Sequence, residues 1–255
     1  MIFFPGLHQV SDAVHFRRGC ISINRLWTRR KPVGGGPHFI DSGAYTVLDK
    51  HGYYPPSHSV EAYAARLYEL HAQNIVRIAV AAAQDYMCEP HIRAKTGLTI
   101  EEHQRLTVER YDALLEELRR LFGNAIPFRV MPVLQGQSIA DYLRHIEMYG
   151  PRLGFRMWVG VGSVCKRQGR AVVVEDILRA IKTARPDLRL HGFGVKLTSL
   201  VNAAVRRLLF SADSMAWSFS ARKQGRDGND WREARAFLEK VSTPAREPEQ
   251  LHFGY

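Results

Sequence analysis

Short apolar runs alternate with helical patterns along most of the chain, and this alternation limits the fold more than any other feature. Residues 2–4 and 20–24 read as strands, and His38 to Asp41 as a strand running into Ser42-Gly43. Residues 59–74 are helical, because Val60, Tyr63, Ala64, Leu67 and Leu70 recur at helical spacing behind an N-capping Ser59. A strand at 77–81 precedes the longest helix, 99–122, which a Thr99-Ile100-Glu101-Glu102 capping box opens and Gly123 closes. Residues 128–134 form the next strand, with Pro132 an awkward member. Ser138 caps a helix that ends at Gly150-Pro151. Strands at 157–161, 188–192 and 208–212 then alternate with helices at 173–184, 199–207 and 230–241.

Strands separated by helices pair in parallel through right-handed crossovers. About eight strands predict an α/β fold of the (β/α)8 TIM-barrel kind, and 255 residues suit one such barrel, which usually needs about 250. The expected organisation is one barrel domain over 1–242 and a polar tail over 243–255. A doubly wound open sheet is the alternative. No GxGxxG follows the first strand, and Gly34-Gly35-Gly36 lacks the Lys-Ser/Thr of a phosphate loop, so it reads as a flexible loop.

No apolar run approaches the roughly 20 residues of a membrane span, and the N-terminus lacks a signal-peptide pattern. Cys20, Cys88 and Cys165 are far apart, which predicts neither a disulfide framework nor a structural zinc and suits a cytoplasmic setting. The net charge is +11, with basic clusters at Arg17-Arg18, Arg29-Arg30-Lys31, Lys166-Arg167 with Arg170, and Arg222-Lys223 with Arg226. Such clusters favour a polyanion, because each cation placed on a phosphate releases a counterion.

Barrel active sites lie at the C-terminal ends of the strands. The predicted strands deliver Asp41-Ser42-Gly43-Ala44-Tyr45, Gln84-Asp85, Gln135-Gly136, Gly160-Val161-Gly162-Ser163, Gly192-Phe193-Gly194 and Asp213-Ser214 to that rim. Singly, each is a common turn or cap. Together they put three carboxylates and an amide at one mouth. A glycosidase-like barrel with two carboxylates fits this pattern too, but the positive charge favours a polyanion over a neutral sugar.

These segments resemble, in order, the motifs of the tRNA-guanine transglycosylase superfamily. Asp41-Ser42-Gly43-Ala44-Tyr45 is similar to its DSGG(F/Y), Val133-Leu134-Gln135-Gly136 to its VQGG, Val159 to Ser163 to its GG(L/F)AVGE loop, and Phe193-Gly194-Val195 to its MGVG. Asp85 and Asp213 stand where the family's base-reading and nucleophilic aspartates stand. The tRNA enzymes carry a CxCxxC…His zinc site, but this chain has no Cys beyond Cys165. The segment Ser211 to Phe219 is most similar to the smaller branch of phages and bacteria, the 7-deazaguanine DNA transglycosylases.

The resemblance implies exchange of guanine in DNA for a free preQ0-type base through a covalent glycosyl-aspartate. Asp213 would be the nucleophile and Asp41 the proton carrier. Asp85 would accept from the base's N1–H and amino group. Gln135, with Gly136, and the backbone N–H groups at Gly160, Val161 and Gly162 would serve O6 and the 7-substituent, beside Ser42. Tyr45 and Phe193 would sandwich the ring. Lys166, Arg167, Arg170, Lys196, Arg222 and Lys223 would hold phosphates. No cofactor is implied, and a homodimer is left open. A tRNA substrate, or a catalytically silent nucleic-acid-binding paralogue, is the alternative; retention of Asp41 and Asp213 argues against the paralogue.

Overall fold

The computed structural model describes residues 1–164 and 171–243. Nine strands occur among them: β1 (Ile2–Pro5), β2 (Cys20–Ser22), β3 (His38–Asp41), β4 (Ile78–Ala82), β5 (Arg129–Met131), β6 (Val133–Leu134), β7 (Trp158–Val161), β8 (Arg189–Gly192) and β9 (Ser211–Ser214). The helices are α1 (Ile23–Leu26), α2 (Ala44–His51), α3 (Val60–Ala72), α4 (Pro90–Thr96), α5 (Ile100–Phe122), α6 (Ile139–Tyr149), α7 (Ala171–Ala184), α8 (Leu197–Leu200), α9 (Ala203–Leu208), α10 (Ala216–Lys223) and α11 (Trp231–Ser242).

All strand pairs are parallel. They form a five-stranded sheet, β1-β9-β8-β7-β6, and a four-stranded sheet, β2-β3-β4-β5. Two features join the sheets. Pro132, which has no N–H to give a ladder, divides one extended run into β5, paired with β4, and β6, paired with β7. At the other edge Leu7 N donates to Cys20 O at 2.9 Å, so the end of β1 meets β2.

Alternate residues of each strand face opposite ways. Phe4, Phe39, Val80 and Met131 face a common interior with Trp158 and Phe193. Phe4 and Phe39, from different sheets, lie 5.8 Å apart between ring centroids. Ile40, Ala81, Leu190 and Ala212 face outward with Tyr63 and Leu67 of α3, Leu114 and Leu118 of α5, and Ile177 and Ile181 of α7. Burial on both faces explains why the strands read as almost unbroken apolar runs. Each outward Leu contributes about 1.5–3 kcal/mol through burial. The capping box of α5 forms as its sequence requires: Glu102 N donates to Thr99 Oγ1 at 3.2 Å and Thr99 N to Glu102 Oε2 at 2.7 Å.

The structure corrects several boundaries. β2 ends at Ser22, because Ile23 turns into α1 and buries its side chain. The predicted 199–207 helix is two, since the Asn202 side chain accepts from Val205 N and caps α9. The last strand is 211–214 and not 208–212, because α9 runs on to Leu208, so Asp213 lies inside the strand and not after it. Helices α2, α4 and α10 have no counterpart in the sequence reading. The glycine triplet is packed, not a free loop: at Gly35, φ +70°, a Cβ would lie 2.5 Å from the Ala13 carbonyl oxygen. The tail from 244 onward, together with Lys166, Arg167 and Arg170, lies outside the described residues. No helix among the described residues is long and apolar enough to cross a membrane.

Candidate active site

Parallel strands end on one side, and there a cleft of about 680 Å³ opens. Asp41, Asp85 and Asp213 all line it, with Tyr45, Gln135, Gly162, Ser163, Phe193 and Gly194. Alternation on β9 explains the placement of Asp213: Ala212 packs outward and Asp213 turns in.

Asp213 is 8% exposed, and its Oδ1 accepts from Gly194 N at 3.1 Å and faces His191 Nε2 at 3.2 Å. His191 Nδ1 lies 2.9 Å from Ser211 Oγ, which accepts from the Trp158 indole N–H at 2.7 Å. An indole only donates, so the Ser211 hydroxyl has its own hydrogen left for His191 Nδ1. A carboxylate oxygen only accepts, so the hydrogen between His191 and Asp213 is carried by Nε2 and points at Asp213.

Asp41 ends β3, and its Oδ2 accepts from Gly43 N at 3.0 Å. Loss of water pushes its carboxyl up to about 6, the Asp213 charge adds to the rise, and the Gly43 N–H and Ser22 hydroxyl oppose it. Gly43 adopts φ +72°, a left-handed turn that starts α2 and brings Tyr45 to the mouth.

Asp85 is buried and accepts a hydrogen bond from Gln135 Nε2. Burial pushes its carboxyl up to about 7, with the Asp41 and Glu89 charges adding to the rise against the Gln135 bond. The Asp85 carboxylate, which only accepts, fixes the amide with its NH2 toward it, and Gln135 Oε1 lies 2.7 Å from Ser163 Oγ, whose one hydrogen faces both Gln135 and Glu89. Ser163 Oγ in turn accepts from Cys88 N at 3.1 Å and lies 2.9 Å from Glu89 Oε2. Gln84, beside Asp85, points away from the cleft and binds the His58 carbonyl at 3.0 Å.

Other predicted contacts are placed differently. Gly160 N donates to Pro132 O at 2.8 Å and Gly162 N to Leu134 O at 2.9 Å, so the ladder consumes the N–H groups expected to serve O6. The Val161 side chain faces the helices in the core. Ser42 is buried away from the lining, and Gly136 packs on Asp141 and Tyr142. The glycines matter instead as space. A Cβ on Gly162 would lie 2.1 Å from Gln135 Nε2, and one on Gly160 2.3 Å from the Phe193 ring. Phe193 is half-buried, 4.9 Å from the His191 ring, and forms one wall of the cleft. Lys196, Arg222 and Lys223 are exposed on the following loop and helix.

Sequence reading put Ser163 on the rim without giving it a role, and missed His8, Arg25, His191 and Met215. The signal for His191 is a polar side chain set between Leu190 and Gly192 in an otherwise buried part of β8. Arg25 follows a strand end, as His8, Asp85 and Met215 do. His8 is pushed down by burial and by Arg25 and Arg222, which places two cations near the mouth. Among the described residues, no cluster of three or more His, Cys, Asp or Glu is arranged to hold a metal.

No curated protein matches the chain. The family model described as DpdA, DeoxyPurine in DNA protein A, matches residues 12–233, a span that contains all three carboxylates. By that match the chain belongs to the DpdA family of DNA 7-deazaguanine transglycosylases.

Proposed function

We propose that the protein replaces guanine in DNA with a free 7-deazaguanine base of the preQ0 type, by two displacements through a glycosyl ester on Asp213. The observation that carries this reading is the Asp213 carboxylate held through Oδ1 alone, among the described residues, by Gly194 N–H and His191 Nε2. Oδ2 is then the attacking atom. It forms a bond to C1′ while C1′–N9 breaks, and the electron pair leaves with guanine, which takes a proton from Asp41. The incoming base gives its N9 proton to Asp41, N9 bonds to C1′, and the ester bond breaks to restore the carboxylate. Two inversions retain configuration at C1′. In the second step, charge returning to the carboxylate spreads onto Oδ1, where the His191 and Gly194 donors stabilise it.

An Asp41 carboxyl near 6 suits a group that both gives and takes a proton close to neutrality. Anionic Asp85 accepts from N1–H and the 2-amino group, and the second hydrogen of Gln135 Nε2 serves O6, in place of the ladder N–H groups. Tyr45 and Phe193 face the base from opposite sides. We further propose that the two sheets are arcs of one eight-stranded barrel, counting β5 and β6 as one strand; the hand-over at Pro132 and the Leu7–Cys20 bond support this. The domain then extends to α11.

Incubation with duplex DNA and labelled guanine or preQ0, with tRNA in parallel, tests the reading. Label entering DNA without strand cleavage supports it. Label entering tRNA alone moves the substrate to RNA, and binding without exchange makes the chain a silent paralogue.

A further inference from the structure

Asp213 sits deep in the cleft, 8% exposed, so a guanine inside a duplex cannot reach it and must leave the stack. An extruded base leaves a gap, and proteins that distort DNA commonly fill such gaps with an apolar side chain. Helix α10 follows β9 directly and is anchored to the cleft wall. Ser218 Oγ lies 2.7 Å from His8 Nε2, and Trp217 Nε1 donates to Gly6 O at 2.9 Å. His8 and Gly6 both line the cleft. Trp217, Ser218 and Ala221 turn inward. Met215, Phe219 and Lys223 recur every four residues and so share the other face.

That face begins in the cleft at Met215 and runs outward to Phe219, which is 59% exposed. Lys223 Nζ stands 5.2 Å from the Phe219 ring, and Arg222 is close enough to shift His8 at the cleft wall. An exposed aromatic ring flanked by two cations, at the rim of a pocket for a nucleotide base, matches an opened duplex in both shape and charge. Phe155, 83% exposed, lies before β7 and therefore at the opposite end of the strands.

We propose that Phe219 is the wedge that enters the base stack beside the extruded guanine, while Arg222 and Lys223 hold the adjacent phosphates. This rests on the transglycosylase reading above. Phe219 touches no reacting atom; it holds the duplex open.

The test compares the parent with Phe219→Ala and Phe219→Trp on three oligonucleotides: a paired duplex, the same duplex with an abasic site opposite the target guanine, and the single strand. We expect Phe219→Ala to lose tenfold or more in kcat/KM on the paired duplex, less on the abasic duplex, and nothing on the single strand. Phe219→Trp should retain activity on all three. Equal losses on all substrates, no loss on the paired duplex, or a parent active on single strands alone would overturn the proposal. So would a parent dimer that Phe219→Ala dissociates, because the face would then be a subunit contact. A parent inactive on every DNA would instead refute the transglycosylase reading itself.

Discussion

Binding of the free base should be controlled by protonation of Asp85. The guanine edge offers two donors, N1–H and the 2-amino group, and only the anion accepts both. In the free enzyme, burial and the Asp41 and Glu89 charges push the Asp85 carboxyl up to about 7. The two incoming donors favour the anion, so the group's pKa falls on binding, and affinity must rise with pH up to the free-enzyme value and level off above it. At pH 5.5 about one molecule in thirty carries the anion, so affinity should be about thirtyfold weaker than on the plateau. Asp41 titrates near 6 in the same cleft, so the measurement is best made by calorimetry on Asp41→Asn as well as on the parent. Both should show the transition. Glu89→Gln removes a negative neighbour and should move it to lower pH. Asp85→Asn should abolish it and weaken binding at pH 8 by two powers of ten or more, since two hydrogen bonds to a charge contribute about 1.5–3 kcal/mol each. An affinity that stays flat from pH 5.5 to 8 in the parent would refute Asp85 as the acceptor of the guanine edge.

Asp41→Asn should still form an enzyme–DNA adduct but release it slowly, seen as adduct accumulation on denaturing gels; rapid turnover would remove Asp41 from proton transfer. His191→Phe removes a donor to the Asp213 carboxylate and should lower kcat about ten- to hundredfold with little change in KM, while His191→Gln, which keeps a donor at the Nε2 position, should recover much of the loss. Equal loss in both, with unchanged thermal stability, would mean that the ring acts by packing. Gly162→Ala puts a Cβ where only 2.1 Å separates it from Gln135 Nε2, so Gln135 must move and base affinity should fall about tenfold. Unchanged calorimetric affinity would show that Gln135 does not set the pocket.

Periodicity exposed most of the framework, since strands buried on both faces and helices with one apolar stripe have different rhythms. The three carboxylates were legible for the same reason: each interrupts, closes or closely follows an apolar run. Short helices escaped because α2, α4 and α10 span eight, seven and eight residues, too few for the pattern to repeat. The backbone donors expected at Gly160 and Gly162 were misread because a motif shows that a glycine is required without saying why. Here it makes room for Phe193 and Gln135, and the ladder takes the N–H groups. His191 was hidden in a strand, where its contacts to Ser211 and Asp213 depend on the register of β8 beside β9.

The most direct test of the central claim is the intact mass of protein quenched in acid during turnover on a guanine-containing oligonucleotide. The expected species equals protein plus oligonucleotide minus guanine, present in the parent and absent in Asp213→Asn. Exchange of labelled base with no such species, or an adduct that persists in Asp213→Asn, would contradict it.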